Sequence, residues 1–452
     1  MVSSIPHLLL ILLLFTVLTH NSSFEDDFSN EQQPNGFFLP FESNLYVEIT
    51  IGNPTRNFNL KLDSSTHLTF LECDPCDDDE HQCSVSDTTR RYDGKSSTTF
   101  SPISCTNSSL CPLLSPNATT HDNTTTTATT SSLSLLCTPS NSCRYDVSSF
   151  SAGYLVSDTL QLTSSITDQE NSLSIVRGFV FGCGTSNRVT PEDDGGGVDG
   201  RVSLTTHHFS LLSQLRVTRF SHCLWPSSAG SRNYIRLGSA AEFGGDMMLV
   251  PMLDTTETSS YSYHIPLLGI SLEEQRMRSN ETSTIAVDIG TYYTRLEASL
   301  YEKVKEELMT QIGPTVAYEV NELMCFTTEV GLEIESLPIV TLHLQGFNFT
   351  ISNKGLYLRD SPSSFCTALV RSTTEDEEKN VLGASGLVDY VVGYDTSDRV
   401  LAFQQRDCLA DFVDEDIGDY FIAHLVTQST EHDYKLAQNK DHKNFIDIEV
   451  ET

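Results

Sequence analysis

Residues 60 to 72 read Leu-Lys-Leu-Asp-Ser-Ser-Thr-His-Leu-Thr-Phe-Leu-Glu, and residues 285 to 297 read Ile-Ala-Val-Asp-Ile-Gly-Thr-Tyr-Tyr-Thr-Arg-Leu-Glu. With Asp63 laid on Asp288, Thr66 falls on Thr291, Thr69 on Thr294, Leu71 on Leu296 and Glu72 on Glu297. In both copies an apolar run, readable as a buried strand, delivers an aspartate into a turn of small and hydroxyl residues. A unit carried once per half can bring two carboxylates together across a pseudo-twofold axis. Two carboxylates side by side cannot both ionise cheaply, so one keeps its proton while the other acts as base. Such a pair is acid–base machinery for activating water. The plainer reading is a strand that ends, twice, in a polar turn.

At 452 residues the chain can hold two domains with their own cores or one large bilobal unit. The formal charge is −34, from 61 acidic and 27 basic residues. Phosphate binding needs clustered Lys and Arg, so nucleic acid is not an expected partner. The acidity fits solubility, or service in acid where many carboxylates are protonated. The apolar run Leu8 to Leu18 has the length of a signal-peptide core, although no Lys or Arg precedes it, and residues 1–20 are assigned to that segment. No later segment is long and apolar enough for a membrane helix, so no membrane partner is expected once the leader is removed.

The twelve cysteines lie after that leader, nine of them in the first half. With a secretory start, disulfides are the favoured state. Cys73-x-x-Cys76, followed by an acidic run, His81 and Cys83, also admits a metal reading. No complete four-ligand spacing appears, so no metal is assigned. Sequons at Asn107, Asn117, Asn123, Asn280 and Asn348 are candidate glycosylation sites and agree with secretion.

Short β-type runs dominate, at 45–51, 58–62, 176–181, 249–252, 339–344 and 400–403, each bounded by Gly, Pro, Asn, Asp or Ser. This is the pattern of an all-β protein. Helical spacing is best at 297–309, where Leu300, Val304 and Leu308 recur every four residues; 209–215 reads as a shorter helix. The Thr/Ser/Asn-rich stretch between Cys111 and Cys137 and the acidic-glycine segment 192–197 read as loops. The expected organisation is a short segment at 21–43, a first β lobe at 44–245, a second at 246–409 and an acidic polar tail at 410–452.

Several ordered motifs carry a family resemblance. Leu45-Tyr-Val-Glu-Ile-Thr-Ile-Gly-Asn-Pro54 and Leu62-Asp-Ser-Ser-Thr-His-Leu-Thr-Phe70 come first. Phe179-Val-Phe-Gly-Cys-Gly184, Leu211-Leu-Ser-Gln-Leu215 and Arg219-Phe-Ser-His-Cys-Leu224 follow. Ala286-Val-Asp-Ile-Gly-Thr291, Leu337-Pro-Ile-Val-Thr-Leu-His-Leu344 and Val392-Gly-Tyr-Asp395 complete the series. From about residue 44 to 408 the chain resembles the pepsin-like aspartic proteases, in their plant nepenthesin-like branch. The resemblance implies two pseudo-twofold-related β-barrel lobes with few short helices and a central cleft for an extended polypeptide. It implies Asp63 and Asp288 as the catalytic pair, with Ser64, Ser65, Thr66, Ile289, Gly290 and Thr291 as turn support. It places Tyr145 as the flap tyrosine that closes on substrate, requires no cofactor, and suggests a monomer working at acid pH.

The family pattern breaks in defined places. The usual turn is Asp-Thr-Gly or Asp-Ser-Gly; here Ser65 stands for the glycine in the first copy, and Ile289 for the hydroxyl residue in the second. The flap, close to Tyr-Gly-Asp-Gly-Ser in the family, is Tyr145-Asp-Val-Ser-Ser149. After Gly200 the family has two apolar residues and a glycine, whereas this chain has Arg201-Val-Ser203; the second-half equivalent, Val381-Leu-Gly383, is intact. A cation at 201 must find a partner or point outward. The segment 21–43 is shorter than the family's inhibitory propeptide. Three readings follow: a secreted acid endopeptidase, in the apoplast, cell wall or vacuole; a catalytically silent relative that binds a peptide or protein in its cleft; and a storage or wall glycoprotein.

Overall fold

The computed structural model describes residues 36–41, 45–75, 88–106, 110–111, 133–147, 150–164, 172–187, 198–225, 233–254, 262–277, 283–313, 317–320, 322–328, 332–374 and 378–408. The leader, the segment 21–35, the loop 112–132, the segment 192–197 and the tail lie outside them. So do Cys76, Cys83, Asn107, Asn117, Asn123, Asn280 and Ser149.

The six runs expected as strands are observed as Tyr46–Ile51, Arg56–Asp63, Ser172–Asn187, Met248–Pro251, Val340–Leu344 and Val400–Gln405. Tyr46–Ile51 buries Val47, Ile49 and Ile51 in alternation, the signature of a strand with one face on the core. Arg56–Asp63 alternates only at its start, and its last four residues are all buried, because it ends between neighbours on both faces. The helix Ala298–Ile312 is capped by Glu297, whose carboxylate accepts from Ser299 N and Leu300 N. It buries Leu300, Tyr301, Val304 and Leu308, as their fourfold spacing requires. The shorter helix spans Leu211–Gln214 behind its N-cap Ser210.

Three sheets build the frame. In the first half, eight strands run from Tyr46–Ile51 through Arg56–Asp63, Gly200–Ser203, Phe70–Glu72, Ser172–Asn187, Ser151–Ser164 and Cys143–Val147 to Leu133–Cys137, and a ninth, Ser101–Pro102, pairs with Ser151–Ser164. Pairing of Thr50 with Gln161 folds this sheet back towards a barrel. In the second half, eight strands are centred on Tyr263–Leu272, Ser283–Asp288 and Val381–Gly383. A six-stranded antiparallel sheet joins the halves, Arg219–Cys223 pairing with Tyr390–Asp395 so that His222 faces Val392. A further four-stranded sheet, from Ala317–Val320 to Tyr357–Ser361, packs in the second half. The architecture is mostly β, two lobes on a shared base.

Five disulfides tie the described cysteines: Cys73–Cys183, Cys105–Cys137, Cys111–Cys143, Cys223–Cys408 and Cys325–Cys366. The sulfurs of Cys105, Cys111 and Cys137 gather closely, but each is already bonded to carbon and to another sulfur. Cys73 is likewise held by Cys183, which removes it from the metal reading. Among the described residues no helix is long and apolar enough to cross a membrane.

Candidate active site

Each aspartate ends a strand that has a parallel neighbour. In the first half Gly200–Ser203 lies beside Arg56–Asp63, with Ser203 opposite Asp63, Val202 opposite Leu62 and Arg201 opposite Lys61. In the second half Val381–Gly383 lies beside Ser283–Asp288, with Gly383 opposite Asp288, Leu382 opposite Val287 and Val381 opposite Ala286. The two arrangements superpose register for register. Thr69 Oγ1 accepts from Ser203 N at 3.0 Å, and its counterpart Thr294 Oγ1 accepts from Gly383 N at 3.3 Å.

The turns bring the carboxylates to one buried seam, with Asp63 0% and Asp288 4% exposed. Ser64 Oγ donates to Asp288 Oδ1 at 2.8 Å, and Ser64 N reaches the same oxygen at 3.3 Å. In return Ile289 N donates to Ser64 Oγ at 3.2 Å. One inter-turn hydroxyl therefore does the linking, because Ile289 offers none and is itself fully buried. A Cβ on Gly290 would lie 3.0 Å from Asp63 Cγ and 3.2 Å from Asp288 Oδ1, so the backbones cross too closely for a side chain there.

Asp63 Oδ1 accepts from Ser65 N, Ser65 Oγ and Thr66 N, each at 2.8 Å. Ser65 thus fits in place of glycine by turning its hydroxyl back onto the carboxylate. Asp288 Oδ1 accepts from Gly290 N at 2.9 Å, and Asp288 Oδ2 from Thr291 Oγ1 at 2.8 Å. Asp63 Oδ2 instead accepts from Arg201 Nη1 at 2.7 Å, in a pair that is almost wholly buried. The register explains the reach: Arg201 sits two residues back from Asp63, about 6.6 Å along a strand, which an arginine spans. The guanidinium carbon also lies 4.3 Å from the centre of the Phe150 ring.

Burial alone would raise both carboxyl pKa values. For Asp63 the charge and hydrogen bond of Arg201, with the bonds from Ser65 and Thr66, outweigh burial and hold it below the usual carboxylate range. For Asp288 burial and then the charge of Asp63 raise it, and the bonds from Thr291, Gly290 and Ser64 only partly offset them. Of the two carboxyls, Asp288 has the higher proton affinity.

The sequence marked both aspartates and all six turn residues, and these meet at the seam. Tyr145 is placed differently. Its ring is wholly buried in an apolar cluster with Leu68, Phe70 and Leu155, and its hydroxyl bonds Ser151 Oγ at 2.6 Å. It fills the space over Gly182, where a Cβ would come within 2.6 Å of it. Among the described residues of that hairpin, Phe150 approaches the carboxylates, through Arg201. Phe150 went unmarked in the sequence, where nothing signals its register with residue 201. Asn348 is exposed on the strand Phe347–Thr350, with Oδ1 2.8 Å from His343 Nδ1.

Comparison with known proteins agrees with this geometry. The family models described as xylanase inhibitor N-terminal and xylanase inhibitor C-terminal match residues 45–239 and 262–405. A probable aspartic protease of Arabidopsis thaliana is 27% identical over 395 residues, covering 82% of this chain and 81% of its own. Aspartic proteinase nepenthesin-1 of Nepenthes gracilis is 25% identical, covering 80% and 77%. Among solved structures, basic 7S globulin from soybean shares the fold with a TM-score of 0.62 at 18% identity, covering 84% of this chain and 98% of its own. Conglutin gamma from lupine seeds does so at 0.61 and 18%, covering 83% and 96%. The chain belongs to the family that these two xylanase inhibitor models define, within the plant branch of the pepsin-like aspartic proteases.

Proposed function

We propose that the chain seats an extended polypeptide across Asp63 and Asp288 and hydrolyses its peptide bonds in acid, on the secretory route. The observation that carries the reading is the buried pair of carboxylates brought to one seam and linked through Ser64 Oγ. Asp63, as carboxylate, takes a proton from water while the water oxygen attacks the scissile carbonyl carbon. Asp288, as acid, gives its proton to the carbonyl oxygen. Collapse of the tetrahedral diol then breaks the C–N bond and protonates the leaving amine. The named aspartic proteases among the relatives support the polypeptide as substrate class.

A second reading, a silent binder of a peptide or protein, is favoured by one observation: the Arg201 guanidinium on Asp63. Purified protein on denatured globin between pH 3 and 6 separates the two. The endopeptidase reading expects cleavage that pepstatin blocks and that Asp63→Asn or Asp288→Asn abolishes, a loss of at least about 100-fold. Cleavage that persists in either variant would assign the activity elsewhere.

A further inference from the structure

A carboxylate offers about four acceptor sites, and Asp63 already receives four donors: Ser65 N, Ser65 Oγ, Thr66 N and Arg201 Nη1. Asp288 also receives four, yet the two cases differ in chemistry. Thr291 Oγ1, the donor to Asp288 Oδ2, is a hydroxyl that can rotate and accept when the carboxyl takes a proton. A guanidinium has five N–H donors, no acceptor and no accessible deprotonation. Arg201 engages one of the two lone pairs of Asp63 Oδ2, and a proton taken up on the other would sit beside the guanidinium charge. That charge favours the ionised form and makes Asp63 a weaker base for as long as the arginine stays.

We propose that Arg201 is an internal counter-ion that restrains this centre: while its guanidinium holds Asp63 Oδ2, Asp63 is a poor general base, and peptide hydrolysis is held down. The inference rests on the endopeptidase reading and names what regulates that site. Three features hold the cation in place. The ion pair is buried, where it is screened little by solvent or salt. Phe150, in the turn that joins Cys143–Val147 to Ser151–Ser164, covers the guanidinium face. The strand carrying Arg201 is hydrogen-bonded on both sides, to Arg56–Asp63 and to Phe70–Glu72. Among the described residues, the charged and titratable groups around the pair include Lys61 opposite Arg201 in register, Asp288 across the seam, and Tyr394, on which Asp288 acts. The second half supplies the control, since Val381 takes the register position of Arg201 and leaves Asp288 Oδ2 to a hydroxyl.

The test replaces Arg201 by what the other half uses. Arg201→Val is compared with wild type on denatured globin from pH 3 to 6, with Arg201→Met, which keeps the aliphatic stem, as the second variant should valine unfold the protein. Arg201→Lys keeps a cation. The expectation is a rise of at least about tenfold in pepstatin-sensitive rate for the neutral variants and none for lysine. Folded neutral variants that cleave no faster than an active wild type overturn the inference and leave the endopeptidase reading standing. If neither wild type nor variants cleave, the Asp63 carboxyl is titrated by carbon-detected NMR. A rise of about one pKa unit or more in the neutral variants upholds the ion pair alone, and the restraint on hydrolysis falls with the endopeptidase reading; an unmoved Asp63 overturns the ion pair as well.

Discussion

The two active-site turns are the same device built twice, and one copy has been changed where it meets its neighbour strand. In the second half, Thr291 reaches Asp288 Oδ2 and Gly383 leaves room beneath the turn. In the first half, Arg201 holds Asp63 Oδ2, and Ser203 donates to the Thr66 carbonyl at 2.5 Å from the place glycine holds opposite Asp288. Thr66 Oγ1, the counterpart of the hydroxyl that serves Asp288, is buried and has no hydrogen-bond partner among the described residues. The difference teaches that the aspartates and their turns can persist while the environment of one carboxylate is rewritten from outside the turn. A catalytic motif read alone misses this, because the decisive cation is 138 residues away.

The sharpest way to break the comparison is to exchange the strand residues. A Cβ on Gly383 would lie 2.4 Å from Tyr293 O and 2.8 Å from Thr291 O, both backbone atoms that cannot step aside. Gly383→Ser is expected to cost about 3 kcal/mol or more and to displace Thr291 from Asp288. Ser203→Gly gives up only the bond to Thr66 O and some backbone restraint, about 1–2 kcal/mol. Urea denaturation of both variants checks this. Equal losses would mean that the two neighbour strands are not equivalent after all.

Much of this was legible beforehand. The alternation in 45–51, the fourfold spacing in 297–309 and the repeated aspartate unit are local patterns, and local patterns survive into structure because each is set by one period and one buried face. The long strands Ser151–Ser164 and Ser172–Asn187 were only partly readable, since hydroxyl residues and glycines interrupt their apolar alternation. The sequence required a partner for the cation at 201 but could not name it. Naming it needs the parallel pairing of Gly200–Ser203 with Arg56–Asp63, a long-range register that no periodicity encodes. The setting of Tyr145 is hidden for the same reason: its place in the chain marks the hairpin, whereas burial over Gly182 decides where the ring goes.

A smaller effect separates the carboxylates by pH. Asp288 has a folded pKa above its ordinary value, so the group stabilises the fold below that ordinary value and costs stability as pH rises through the folded one. Asp63 is shifted the other way, so its contribution is present above the ordinary value and lost as pH falls through the folded one. Asp288→Asn is therefore expected to raise Tm at pH 7, by about 2 °C, and the gain should vanish below about pH 4. A gain that instead grew in acid would reverse the assignment of the higher proton affinity to Asp288.

The smallest effect is the most selective, because it asks the same question of both halves with the same substitution. Thr291→Val removes the hydroxyl that donates to Asp288 Oδ2 and leaves that oxygen short of a donor in a buried seam, a loss of about 1–2 kcal/mol. Thr66→Val removes a hydroxyl that donates to no described group, while the Thr66 backbone N–H keeps its bond to Asp63 Oδ1. It should change stability by no more than about 0.5 kcal/mol. In the background of Arg201→Val the asymmetry should close, because Asp63 Oδ2 is then open to Thr66 Oγ1, and Thr66→Val should begin to cost what Thr291→Val costs. That non-additivity, measured as a double-mutant cycle on unfolding free energy, reads the coupling between Arg201 and Thr66 directly. A strictly additive cycle would mean that Arg201 and Thr66 do not compete for the same carboxylate oxygen.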